Sequence, residues 1–129
     1  MELLHFTLPR DGKFSIPAAW WTEAGMDAFK RGTDLAYLGR PQLQSKPIPL
    51  ADIEPVSMEL RRHLSCAGFD EKRMVGVLRH IATHQEMWPI EITEIQGNLY
   101  RYRLHDGTHR FFASVAAGFS HVPALVVSR

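Results

Sequence analysis

Cysteine is almost missing from this chain of 129 residues. Cys66 stands alone, so no disulfide can form within the chain. That excludes the stapled scaffolds of small secreted domains and suits a reducing compartment. A single cysteine of this kind is more often buried and inert than reactive. Long apolar runs are missing too, and nothing approaches the ~18 residues that a membrane span needs. Neither sign of charge is in excess: 15 Lys and Arg against 14 Asp and Glu leave a net charge of +1. Such a balance gives no support to a broad basic surface, so DNA is a partner that charge does not favour. The start, Met1-Glu2-Leu3-Leu4-His5, lacks the basic leader and cleavage pattern of a signal peptide, and a cytoplasmic protein is expected. Repeats and low-complexity tracts are absent as well.

What is present suits one small domain. Apolar residues make up 45% of the chain. A domain of this size buries roughly two thirds of its unfolded surface without a staple. The texture changes near residue 46. Residues 1–46 are rich in Trp, Gly and turn residues and are expected to form an N-terminal extension packed on the core. Residues 47–129 alternate strand and helix patterns and are expected to form that core.

In the first part, Leu3 to Leu8 reads as a strand, Pro9-Arg10-Asp11-Gly12 as a turn, and Phe14-Ser15-Ile16 as the returning strand. Ser15 as a cap and Pro17 in the first turn predict a short helix through Trp20 and Trp21, ended by Gly25. Adjacent Trp residues on a helix point about 100° apart. One is therefore expected in the core, with the other free to stack on a base or a partner. Residues 26–46 read mostly as loop.

From there the pattern sharpens. Ile48 to Ile53 predicts a strand. Pro55 opens a helix with Val56, Leu60 and Leu64 on one face, stopped by Gly68. Asp70 caps a further helix whose apolar stripe is Met74, Leu78 and Ile81. Pro89 to Ile95 alternates strictly, Gln96-Gly97-Asn98 is a turn, and Leu99 to Leu104 alternates again, so a hairpin follows. The helix after Asp106-Gly107-Thr108 has Phe112, Val115, Ala116 and Phe119 as its apolar face, and Gly118 ends it. Val122 to Val127 is the last strand. The expected fold class is α+β: a small mixed β-sheet flanked by about three helices, with the N-terminal hairpin and short helix added.

The stretch Asp106-Gly107-Thr108-His109-Arg110 carries the chemistry. A strand runs into a glycine turn, and a helix starts. The first helical turn leaves up to four backbone N–H groups unpaired, and the helix dipole adds about half a positive charge. Gly107 opens the backbone to an anion, and Arg110 with His109 adds charge-assisted donors. That combination suits a phosphate. A solvated Arg in an ordinary Asp-Gly turn is the plain alternative.

Residues 106–127, DGTHRFFASVAAGFSHVPALVV, resemble the family pattern shared by ParB partition proteins and sulfiredoxins. Pro47 to Pro55 resembles the opening strand of that family, and Met87 to Ile92 its middle strand, in the right order. The resemblance implies a ParB/sulfiredoxin-like domain in which Gly107, Thr108, His109 and Arg110 hold nucleotide phosphates. It also marks departures. Sulfiredoxins place a catalytic Cys directly before the His-Arg pair, where this chain has Thr108, so sulfur chemistry is not expected. Partition proteins continue into a helix-turn-helix and a dimerisation tail. This chain stops two residues after its last strand pattern, so a complete partition protein is not expected.

The resemblance also implies a carboxylate at or just after the opening strand as a general base, and Glu54 and Glu59 are the candidates; such a base acts only within hydrogen-bond reach of a substrate hydroxyl. Their place near a helix start is equally well explained by the helix dipole. His80 and His84 have a spacing that can chelate, but no third ligand follows, so no metal site is expected. Arg101 and Arg103 either steer an anion or keep the outer sheet face wet. The functional expectation is a stand-alone domain that binds a nucleotide or another phosphorylated small molecule, with a nucleoside triphosphate and Mg²⁺ as the implied cofactors. Hydrolase or phosphotransferase activity is an open extension of it. Two other classes stay open: a DNA-associated nuclease-like or partition-accessory protein, and a protein-interaction module with a degenerate site.

Overall fold

The computed structural model describes residues 1–56, 68–96 and 99–128. The chain opens with an antiparallel hairpin of β1 (Leu3–Thr7) and β2 (Lys13–Pro17), in register from Leu3 opposite Pro17 to Thr7 opposite Lys13. Phe14 and Ile16 alternate inward on β2 and are buried. Helix α1 (Ala18–Glu23) follows at once and ends at Gly25, whose φ of 87° is the left-handed value a helix stop favours. Its expected serine cap is not used. Ser15 lies within β2 and bonds His5 at 2.8 Å, while Pro17 holds the cap position without a side-chain bond. The Ala18 N–H is satisfied by the Glu2 carbonyl instead.

The predicted strand at Ile48–Ile53 is two strands. β3 (Lys46–Pro49) pairs antiparallel with β7 (His121–Val126), and β4 (Ile53–Glu54) pairs parallel with β6 (Tyr102–Asp106). A single 3-10 turn at Leu50–Asp52 separates them. Pro47 and Pro49 lack N–H donors, which confines β3 to an edge. The sheet order is β3-β7-β5-β6-β4, with β5 (Ile90–Glu94) in the centre. Three residues therefore join opposite edges, so the sheet must curl until those edges come close. Leu50, fully buried, fills the gap.

β6 starts at Tyr102, three residues later than its alternation predicts, because Arg101 donates to Asp52 and accepts from Ile95 in the irregular approach. The hairpin pairing of β5 with β6 holds, with Ile92 opposite Leu104 and Glu94 opposite Tyr102. The turn expected at Gly97-Asn98 lies outside the described residues. So does the helix expected after Pro55, beyond Val56, together with Glu59 and Cys66.

Helix α2 (Glu71–Ala82) is capped as expected: the Asp70 carboxylate accepts from the Arg73 N–H at 2.9 Å. Met74, Val75, Leu78 and Ile81 are its buried stripe. Helix α3 (Thr108–Ala116) is buried differently from its predicted face. His109, Phe111, Phe112, Ala113 and Ser114 are buried, while Val115 and Ala116 are half-buried. The reason is that α3 has neighbours on several sides. Phe112 meets Phe14 of the hairpin edge-on at 5.0 Å and Phe69 at 5.3 Å, and α3 also touches α2 and the sheet. A helix wrapped in this way buries more than one stripe.

Candidate functional site

The strand–glycine–helix motif stands at the mouth of a cleft of about 680 Å³. One wall is Asp106 to Arg110. A second is the outward face of α2: Lys72, Arg73, Gly76, Val77 and His80. Glu86, Met87 and Trp88, just before β5, form the third wall, and Arg40 comes from the loop after α1.

Gly107 is needed for two reasons. Its φ is +105°, a region that residues with a Cβ avoid. A Cβ there would also lie 2.7 Å from Cγ2 of Ile90 and 2.9 Å from its Cβ. The missing side chain thus lets the turn press against the central strand. It points toward Ile90, so Gly107 is explained by packing before any anion is considered.

The first intrahelical bond of α3 runs from the Phe111 N–H to the Gly107 carbonyl at 2.9 Å. The N–H groups of Thr108, His109 and Arg110 precede it and lie outside the intrahelical ladder. The His109 side chain does not join them. It is 8% exposed, and its Nε2 accepts from the Asp70 N–H at 3.0 Å beside the Phe69 ring. That bond fixes the neutral tautomer with the proton on Nδ1. The expected charged donor at this position is therefore a clamp between the start of α3 and the cap of α2, and only its backbone N–H belongs to the first turn.

Arg110 is one-fifth exposed and pairs with Asp106, one turn back, at 3.7 Å. It also acts on Tyr37. Burial pushes the Tyr37 hydroxyl well above the ordinary phenol range, and the Arg110 charge opposes that push. Tyr37 stays protonated and donates to the Trp88 carbonyl at 2.6 Å. Above Trp88 lies Arg40, its guanidinium 4.7 Å from the ring centroid, within cation–π range. Arg40, Lys72, Arg73 and Arg110 thus give the cleft four basic side chains, against the carboxylates of Asp106 and Glu86.

No family sequence model matches the chain, and no curated protein matches it by sequence. Its structure is similar to the crystal structure of sulfiredoxin from Arabidopsis thaliana. The TM-score is 0.52 at 20% identity, and the match covers 67% of this chain and 88% of that one. The chain has a sulfiredoxin-like fold. Within that fold the other sequence candidates disperse. Glu54 bonds Arg103 at 3.0 Å on β4 and does not line the cleft. Arg103 is occupied by that pair, and Arg101 lies over Tyr102. Trp20 is buried and the half-buried Trp21 packs against Phe6, and neither lines the cleft. His80 donates from Nδ1 to the Gly76 carbonyl, and His84 sits against Phe29. Among the described residues no group of three or more His, Cys, Asp or Glu could hold a metal. Among them, too, no helix is long and apolar enough to cross a membrane.

Sequence reasoning missed Arg40, Lys72, Arg73 and Trp88. Lys72 and Arg73 follow the Asp70 cap and Glu71 within the first turn of α2, and that was the available signal: cations in a first helical turn oppose the helix dipole.

Proposed function

We propose that the cleft binds a phosphorylated ligand, with its phosphates at the first turn of α3. The observation that carries this reading is the convergence of four basic side chains on the same cleft as the first turn of α3. Two of the cations, Lys72 and Arg73, sit where a helix start disfavours positive charge, and an anionic ligand would offset that cost. Thr108 lines the same wall and offers a hydroxyl. In the sulfiredoxin-resembling motif this is the cysteine position, so thiol chemistry has no place in the reading. The resemblance supports a nucleotide, and a cytosolic protein accords with the reading. Magnesium accompanying a triphosphate would rest mainly on the phosphates themselves.

Catalysis is a further step, and Glu54 does not supply it from its place beside Arg103. A phosphotransfer or hydrolysis reading would draw its base from Glu86 or His80, which line the cleft. Phosphate release assayed with and without Mg²⁺ tests that extension separately.

Titration calorimetry with inorganic tripolyphosphate and with nucleoside triphosphates tests binding. Arg110→Ala should keep the fold, because the lost ion pair is with an Asp106 that is 68% exposed. It should weaken binding by about 1–3 kcal/mol, the value of a charge-assisted bond less the Asp106 pair that the ligand displaces. That is roughly a fivefold to hundredfold loss. A folded Arg110→Ala protein that binds as tightly as the parent would sink the reading.

A further inference from the structure

We propose that Trp88, with Arg40 above it, is the base-binding platform of this cleft, so that the ligand is a nucleotide and not a phosphorylated molecule without an aromatic ring. The proposal rests on the phosphate reading above and adds the part of the ligand that the α3 turn does not contact.

Trp88 is 55% exposed, although its chain neighbours Met87 and Pro89 are buried. Its ring forms part of the cleft wall and not of the core. It is also held in place. The Trp88 carbonyl accepts from Tyr37, and the Met87 N–H donates to the Leu38 carbonyl at 2.9 Å. Pro89 follows and restricts Trp88 to extended backbone. A large aromatic ring on a fixed backbone at a cleft edge loses little entropy when it is covered.

The platform is also at the right reach. The α3 turn touches Ile90 through Gly107, and Trp88 is two residues before Ile90. Extended chain covers about 7 Å over that interval. The first turn of α3 and Trp88 line the same cleft, so a ligand with its phosphates at that turn can reach the indole. Bases stack on aromatic rings and on Arg guanidinium planes, and both surfaces are present here. Arg40 belongs to the segment before β3, so the N-terminal part of the chain supplies half of the platform and has a binding role of its own.

The test compares the four ribonucleoside triphosphates with inorganic tripolyphosphate, by calorimetry, on the parent protein and on Trp88→Ala, Trp88→Phe and Arg40→Ala. At least one nucleotide should bind the parent roughly tenfold to hundredfold more tightly than tripolyphosphate, the advantage expected of one stacked base. Trp88→Ala should remove that advantage and weaken tripolyphosphate far less than it weakens the nucleotide. Trp88→Phe should keep most of it, and Arg40→Ala should weaken nucleotides more than tripolyphosphate. Circular dichroism and the thermal midpoint confirm that the variants fold, which the exposure of Trp88 makes the expected result. If all four nucleotides bind the parent no better than tripolyphosphate, or if Trp88→Ala keeps the full advantage, the platform is refuted while the phosphate site stands. Should neither nucleotides nor tripolyphosphate bind the parent at all, both readings are overturned together.

Discussion

Gly107→Ala puts one methyl group at the junction on which the cleft depends. Two costs follow. The backbone at φ +105° and ψ 35° is left-handed, and a residue with a Cβ there costs about 1–2 kcal/mol. The new Cβ would also meet Ile90 at 2.7 Å and 2.9 Å on side-chain atoms and at 3.2 Å on its Cα. Ile90 is fully buried on β5, between β6 and β7, so it has no room to withdraw. Overpacking of this kind costs about 1–3 kcal/mol. Together the loss is about 2–5 kcal/mol, a large share of the stability of a small domain. With a urea slope of about 2 kcal/mol per molar, the unfolding midpoint should fall by roughly 1–2.5 M. Gly76→Ala is the matched control. Gly76 lies within α2 with no atom within 4 Å of its would-be Cβ, so alanine there should stabilise by up to about 1 kcal/mol. Ile90→Ala removes the nearest of the clashing atoms, so Gly107→Ala should cost less in that background. An unchanged midpoint for Gly107→Ala would refute the packing account and return Gly107 to a role in admitting the anion.

Asp106→Asn removes the carboxylate that occupies Arg110, so tripolyphosphate should bind a few-fold more tightly by calorimetry, and weaker binding would count against Arg110 as a ligand. His109→Leu leaves the Asp70 N–H without its acceptor and should cost about 1–3 kcal/mol in urea unfolding. Tripolyphosphate affinity of the folded His109→Leu protein should fall less than that of Arg110→Ala; the reverse order would make His109 a direct ligand.

Local geometry was legible in the sequence wherever one segment decides it. The β5–β6 pairing follows from strict alternation, the Asp70 cap from a short acidic side chain ahead of an apolar stripe, and the α3 start from Gly107. Contacts between distant segments were not legible. Alternation from Ile48 to Ile53 does not reveal that a curled sheet needs the chain to leave one edge and join the other within three residues. The α3 face was misread because a single helical period assumes one packed side, and α3 has several. Among the site residues, Gly107, Thr108, His109 and Arg110 line one cleft, while Glu54 is drawn off by Arg103 across β4 and β6. Trp88 was passed over for the more conspicuous Trp20-Trp21 pair. Composition does not say which tryptophan a distant tyrosine will hold at the surface.

The His109 clamp explains how so short a motif can organise a cleft of this size. On the proposed reading, a phosphate at the start of α3 draws on cations beyond its own turn, and Lys72 and Arg73, which line the cleft, stand in the first turn of another helix. Two helix starts repel anything cationic and, left to themselves, have no reason to lie close with lysine and arginine between them. The bond from the Asp70 N–H to His109 Nε2 ties the two starts together through a neutral ring, adding no further positive charge. Asp70 then supplies a negative charge at the α2 cap, and Asp106 supplies one beside Arg110. Each helix start thus carries a carboxylate that makes the ligand-free cleft tolerable. The two carboxylates differ in one respect. Asp70 is committed to its cap bond, whereas Asp106 is mostly exposed and holds Arg110 only at ion-pair distance. On the proposed reading, an arriving phosphate would compete with Asp106 for Arg110 and leave the Asp70 cap bond in place.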